Sequence, residues 1–537
     1  MDRPADILPF SARAGCRRAR LGRIRDKGIC KGLRYKRLRP ILCIMKFTSE
    51  TLSPQSARIL PWLVAVAFFM QMLDATILNT ALPGMAGDLG VSPLRMQAVV
   101  ISYMLTTAVF IPASGWLADR FGVKKTFFFA ICLFTLGSLF CALASSLELL
   151  VVSRVIQGLG GALMVPVGRL AILKGYPRSE LMNVLSFVTI PGLVGPLMGL
   201  LTGGFLVEYA SWHWIFLINL PVGLAGALLT LRYMPELKEE RVGGFDAGGF
   251  IVFSAALVLI TLAMEGFGEL RFPKVQSMML CAGGLLLLAL FWLRSARTPS
   301  ALFSISLFKT RGFTVGILGN LFSRLGSGSM PFLVPLFLQL SLGFSPFKAG
   351  LTMIPTALAG ILGKQIITPL VKRFGFRAFL TVNTLALGGL IASFSLIRVD
   401  TPYVALLLLF GIFGTINSMQ FTAMNSVTLI DLHAQNASSG NTLLSVTMQM
   451  SASIGVAMAA ALLDGFTAAY HLLPSAERLM QVFHSTFLWV GLLSLVTALI
   501  FSQAPSRTGE RVEESASGES PQAKDPGKEC SCEEDSA

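Results

Sequence analysis

The chain has 537 residues, of which 53% are hydrophobic and only 14% charged, and it carries a formal net charge of +15. Soluble domains hold about 25% charged residues, so this composition excludes an ordinary soluble enzyme or binding module. Nor does the charge describe a nucleic-acid surface: residues 1–60 hold 15 Lys/Arg against four acids, and everything after them carries only about +4.

Residues 1–60 read as a basic cytoplasmic segment, because positive charge ahead of a first span keeps an N-terminus inside. The first 44 residues differ in character from the rest of the chain, and Met45 offers an internal start that lowers the net charge to +5. Residues 1–44 are therefore expected to be a mis-assigned start, with a functional basic arm as the alternative. No cleavable signal peptide is visible, and the first apolar block is expected to stay as an anchor.

Blocks of 18 or more residues with almost no charge follow, as bilayer spans require. They predict fourteen spans: 61–82, 97–117, 126–146, 149–172, 183–206, 213–233, 247–264, 276–294, 311–340, 347–370, 377–397, 402–425, 437–463 and 483–503. Gly326, Gly328, Pro331 and Pro335 predict a kink in the ninth. With the N-terminus inside, the inner loops hold about fifteen Lys/Arg and the outer loops about six, which predicts cytoplasmic N- and C-termini and an even span number. The tail 504–537 is acidic and free of aromatics, a composition expected to be disordered. Cys132, Cys141 and Cys281 fall in apolar blocks as small hydrophobes. Cys530-Ser-Cys532 lacks the further ligands zinc needs, and the four histidines lack metal spacing, so no metal or cofactor is expected.

The first candidate site lies in the first span: Leu73-Asp74-Ala-Thr76-Ile-Leu-Asn79. A bare carboxylate near mid-bilayer is costly, so Asp74 is read either as a proton carrier or as a structural Asp bonded near Thr76 and Asn79. Next comes the loop Gly115-Trp-Leu-Ala-Asp119-Arg120-Phe-Gly122-Val-Lys124-Lys125. Its glycines permit a tight turn, and Asp119 among cations forms a charge network that can break and re-form; a plain topology signal is the alternative. The loop recurs as Leu370-Val-Lys372-Arg373-Phe374-Gly375-Phe-Arg377, 253 residues later. The simplest architecture is two six-helix bundles, 61–233 and 311–503, with two inserted helices in the linker 234–310. Lys372 stands where the first copy has Asp119, so a matching acidic gate is doubtful.

Arg154 lies in the fourth span beside Gln157 and a run of glycines. It is read as tuning proton transfer or cavity electrostatics, or else as a structural Arg held by backbone carbonyls. In the fifth span Gly192, Gly195, Pro196, Gly199 and Gly203 include three glycines at four-residue steps, one face suited to close helix contact. Trp212 and Trp214 enter the sixth span as interface anchors. Asn79, Gln157, Arg324 and Asn417 are the candidate cavity residues. No nucleophile triad is visible, and the absent Walker pattern argues against an ATP-driven pump.

These motifs resemble those of the major facilitator superfamily, and the first- and sixth-span motifs resemble its fourteen-span drug:H⁺ antiporter branch. The resemblance covers about residues 59–503. It implies an all-α integral membrane protein with the major facilitator fold and no enzymatic activity. It also implies a monomer of the cell inner membrane that exports amphipathic organic compounds against protons, and it leaves open a periplasmic adaptor. Under it Asp74 would carry the coupling proton, Arg154 would tune it, Gly115, Asp119, Arg120, Gly122 and Lys124 would form the gating loop, and the fifth-span glycines the antiporter motif. An exporter of one metabolite or organic anion, suited by Arg324 and Lys364, is one rival; a non-transporting sensor or partner subunit is another.

Overall fold

The structure is a computed structural model that describes residues 53–238, 244–267, 273–298, 301–303, 305–430, 432, 434–472 and 474–504. The expectations for residues 1–44, for the acidic tail and for Cys530-Ser-Cys532 lie outside the described residues, as does the side chain of Lys364.

Backbone polar groups in hydrocarbon must be satisfied within the protein, which helices accomplish residue by residue. Among the described residues, thirteen helical stretches are long and apolar enough to cross a bilayer. The chain is an all-helical, multi-pass membrane protein. Helix α1 (Pro54–Ile77) has Pro54 at its first turn, and the Ser53 hydroxyl accepts from the Ser56 N–H at 3.2 Å. It starts and ends earlier than predicted, so Asp74 stands three residues from its last residue, Ile77, rather than at mid-span. The reason is Pro83, which opens the separate short helix α2 (Leu82–Asp88) after a turn.

Helices α3 (Gln97–Phe121), α4 (Val123–Ala142), α5 (Leu147–Gly175), α6 (Arg178–Tyr209), α7 (His213–Leu217) and α8 (Asn219–Tyr233) complete the first bundle. The inserted pair is α9 (Ala247–Phe267) and α10 (Lys274–Ser295). The second bundle comprises α11 (Arg311–Ser327), α12 (Met330–Leu336), α13 (Pro346–Ser393), α14 (Tyr403–Leu429), α15 (Ala434–Ala469) and α16 (Ser475–Phe501). The predicted kink in the ninth span is the gap at Gly328–Ser329 between α11 and α12, followed by a π-turn over Phe337–Ser341.

Straight, the 48 residues of α13 would reach about 72 Å, twice a bilayer core. They do not run straight, because Gly375 takes φ 75° and folds the element into the tenth and eleventh predicted spans. The first repeat copy turns the same way: Gly122, with φ 94°, separates α3 from α4. That left-handed backbone favours glycine over any residue with a Cβ.

In the first bundle α1 packs on α6, and α5 on both α3 and α4; in the second, α13 packs on α14 and α16, and α11 on α14, α15 and α16. Between bundles, α3 meets α15 and α6 meets α13, while α9 touches both α3 and α15. At the end holding residues 78–96 and 337–346 the bundles share one buried apolar cluster, with Ile77, Leu82 and Phe216 joined to Phe337, Phe394 and Phe487. There Gln339 Nε2 donates to the Thr80 carbonyl at 3.0 Å, and Glu208 accepts from the Phe347 N–H at 2.9 Å. Two further cores lie one in each bundle, around Phe127 and Ile172 and around Phe376 and Met424, while another buried cluster joins α3 to α11 and α15 through Val109, Ile317 and Leu444.

Asp246 ties the inserted pair together at its entrance, accepting from Arg294 Nη2 at 3.0 Å and the Gly249 N–H at 2.9 Å. Burial opposes its charge, but the Gly249 N–H and the Arg294 guanidinium outweigh burial and hold its carboxyl below the usual value of 3.8. The tie is therefore present at neutral pH and lost only as pH falls below that value. Because Arg294 is half exposed, Asp246→Asn is expected to cost under about 1 kcal/mol. A melting temperature within a few degrees of wild type at pH 7 checks this.

Candidate functional site

Helices α1, α4, α5 and α8 bring one polar group each, or more, into the apolar interior of the first bundle. Asp74 comes from α1, Ser138 from α4, Arg154 and Gln157 from successive turns of α5, and Asn219 from the first residue of α8. All five are at most 1% exposed. Arg154 Nη1 donates to Asp74 Oδ2 at 2.7 Å and to Gln157 Oε1 at 2.6 Å. Gln157 Nε2 donates to Asp74 Oδ1 and to Ser138 Oγ, both at 2.8 Å. Asn219 Nδ2 reaches Ser138 Oγ at 3.1 Å and Asp74 Oδ1 at 3.5 Å. The guanidinium lies 4.2 Å from the centre of the Tyr103 ring, and its Nε points to the Val99 carbonyl at 3.4 Å.

Two opposite charges removed from water need such an arrangement. Desolvation of each ion costs several kcal/mol, which the pair offsets only with close geometry and further hydrogen bonds. Here the carboxylate has donors on both oxygens, and the cation has a carboxylate, an amide and an aromatic face. The result is a buried ion pair braced by amides and an aromatic face within an apolar core. Protonating Asp74 would remove the attraction that holds Arg154, so the unit has two chemically distinct states.

The predicted pair Asp74 and Arg154 is thus in direct contact. Thr76 is not Asp74's partner, because its hydroxyl donates to the carbonyls of Met72 and Leu73, each at 3.1 Å. Backbone carbonyls are a minor part of the Arg154 environment. Gln157, expected to line a cavity, is instead a buried member of the network. Asn79, 3% exposed, is likewise buried in this state. Sequence reasoning missed Ser138 and Tyr103, ordinary residues whose part is set only by which helices meet, and it saw Asn219 only as a member of the sixth-span motif, with no role in the network.

The fifth-span glycines hold α1 in place. A Cβ at Gly195 would lie 2.8 Å from Met72 Cβ, one at Gly199 2.2 Å from Thr76 Oγ1, and one at Gly203 2.2 Å from the Ile77 carbonyl oxygen. Gly192 faces the Phe68 ring, and Pro196 sits within the same helix. The adjacent Gly204 turns to the second bundle, where a Cβ would come 2.5 Å from the Pro346 carbonyl oxygen.

In the last turn of α3, Asp119 Oδ1 accepts from Lys174 Nζ at 2.9 Å, which links that turn to the end of α5. Its partner is therefore a cation on another helix rather than a neighbour in the loop. Gly115 and Arg120 are exposed, and Lys124 is half-buried. The Val123 N–H donates to the Leu237 carbonyl at 2.9 Å. Of the tryptophans expected as anchors, only Trp214 is exposed. Trp212 is buried, and its Nε1 donates to Asp88 Oδ2 at 2.9 Å. In the second bundle Arg324 lies 4.6 Å from the centre of the Phe421 ring, and Asn417 stands one turn before that ring on α14.

This fold and these motifs place the chain in the major facilitator superfamily, whose family model matches residues 64–456; it is a transporter, not an enzyme. It is 48% identical over 457 residues to the multidrug resistance protein MdtD of Pectobacterium atrosepticum, covering 85% of this chain and 97% of that one. With the MdtD of Klebsiella pneumoniae it shares 49% over 458 residues, 85% of this chain and 96% of the other. Its fold is similar to the crystal structure of a D-xylose-proton symporter, with a TM-score of 0.59 at 16% identity, covering 84% of this chain and 98% of that one.

Proposed function

We propose that this chain exports amphipathic organic compounds across the cell inner membrane in exchange for protons, as a monomer with both termini cytoplasmic. The observation that carries the reading is the buried Asp74–Arg154 pair at 2.7 Å, closed by Gln157 and Asn219. A titratable acid held by a displaceable cation on a neighbouring helix can exchange a proton for a change in helix packing. Relatives carrying the name multidrug resistance protein support the cargo class.

With the N-terminus inside, the end sealed by the shared apolar cluster is the outer one. A proton arriving from outside in the alternate state would neutralise Asp74 and free Arg154. Its release inside would restore the pair, while the two bundles rock about the cargo. Asp119 and Arg120 would latch the cytoplasmic side in the alternate state.

The test uses proteoliposomes under an imposed pH gradient, with a panel of lipophilic cations, neutral aromatics and aromatic acids. Wild type is expected to move at least one compound class together with protons, and Asp74→Asn to abolish the coupled flux. Unchanged flux in Asp74→Asn removes the proposal. Movement of a single metabolite favours the dedicated exporter, and no movement of any compound favours a sensor.

A further inference from the structure

Helix α11 presents two unlike faces. Leu318 and Phe322, about 40% exposed, lie on one side. Asn320, Ser323, Arg324 and Ser327 recur at helical spacing on the other, the side packed among α14, α15 and α16. Arg324 is half-buried, yet its Nε and Nη2 are shielded and have no hydrogen-bond partner among the described residues. No acidic side chain among those residues pairs with it; its contact is the Phe421 ring on α14. Asn320 Oδ1, Ser323 Oγ, Asn425 Oδ1 and Ser453 Oγ are likewise buried without partners, on the three helices α11, α14 and α15.

The repeat sharpens this contrast. The 253-residue offset matches Asp74 with Ser327 and Gln71 with Arg324. The first bundle therefore contains its own anion beside Arg154, whereas the second holds a cation and places a serine where the acid would be. A guanidinium kept inside a membrane bundle requires a counter-charge or a wet cavity, and its planar fork matches a carboxylate bidentately.

From this we infer that Arg324, with Phe421 beneath it, forms an anion-binding site in the second bundle that takes the carboxylate of an amphipathic cargo. Asn417 and Asn425, one turn to either side of Phe421, lie on the same face of α14 and supply further polar groups. The inference deepens the export reading by naming a substrate class, and it rests on that reading for the word cargo alone.

The experiment measures equilibrium binding to the purified full chain in lipid nanodiscs, using 1-naphthoate, 1-naphthamide and tetraphenylphosphonium. Wild type is expected to prefer the naphthoate over the uncharged amide by roughly tenfold, about 1.4 kcal/mol. Arg324→Gln should erase that preference while amide affinity stays within about twofold, and Arg324→Lys should keep part of it, since the charge remains and the fork does not. Should Arg324→Gln fail to give monodisperse protein, Arg324→Lys and Phe421→Leu carry the test, each with an expected partial loss. No naphthoate binding, equal affinity for acid and amide in wild type, or a preference that survives Arg324→Gln overturns the site. Asp74→Asn separates the two readings: anion preference kept with proton-coupled flux lost supports both. Flux that persists in Asp74→Asn removes the coupling proposal and leaves the site standing.

Discussion

Replacing Arg154 with Met is expected to destabilise the protein by about 3–5 kcal/mol, because it leaves the buried Asp74 carboxylate without its cation. The substitution nearly conserves volume, so the loss reports the charge rather than a cavity. The surroundings cannot rescue the carboxylate: Gln157 and Asn219 still donate to Oδ1, but Oδ2 loses the 2.7 Å contact with Arg154. Adding Asp74→Asn to the same chain should recover much of the deficit, since two neutral groups of similar shape need no counter-charge. Thermal unfolding in one detergent, followed for both single variants and the double, gives the coupling between the two sites. Additive losses would mean that the pair contributes nothing as a pair.

The second large effect is expected at Gly203. A Cβ there would approach the Ile77 carbonyl oxygen to 2.2 Å and Thr80 Oγ1 to 2.6 Å. The first contact is backbone, so no rotamer change relieves it. Gly203→Val should force α6 away from α1, lower the melting temperature and weaken the Asp74 network indirectly, with a cost of several kcal/mol from overpacking. Gly87→Ala, where an added Cβ would meet nothing within 4 Å, is the matched control and should be close to neutral. Equal losses at both positions would show that close contact between α1 and α6 is not what the fifth-span glycines provide.

Much of this architecture is legible in the sequence. Apolar blocks locate the spans, the 253-residue repeat divides them into bundles with an inserted pair, and Gly122 and Gly375 both adopt the turn their repeat implies. The glycine face of α6 follows from four-residue spacing alone. Other features depend on which helices meet. Ser138 has no pattern of its own, Asn219 belongs to the sixth-span motif without that motif giving its partner, and Asp119 finds Lys174 across 55 residues. Trp212 resembles an interfacial anchor until Asp88 appears beside its indole nitrogen. Hydropathy places Asp74 mid-span because the apolar block runs on to Leu82, while the helix ends at Ile77.

The apolar cluster that seals one end of the bundles has a thermal consequence. Parting Phe337, Phe394 and Phe487 from Ile77, Leu82 and Phe216 would wet surface that is now dry. Exposure of such surface raises heat capacity, so the free energy of opening curves with temperature instead of changing linearly. Turnover limited by that opening should give a bent Arrhenius plot. Polar substitutions within the cluster should flatten the bend, while changes at Asp74 should leave its curvature in place.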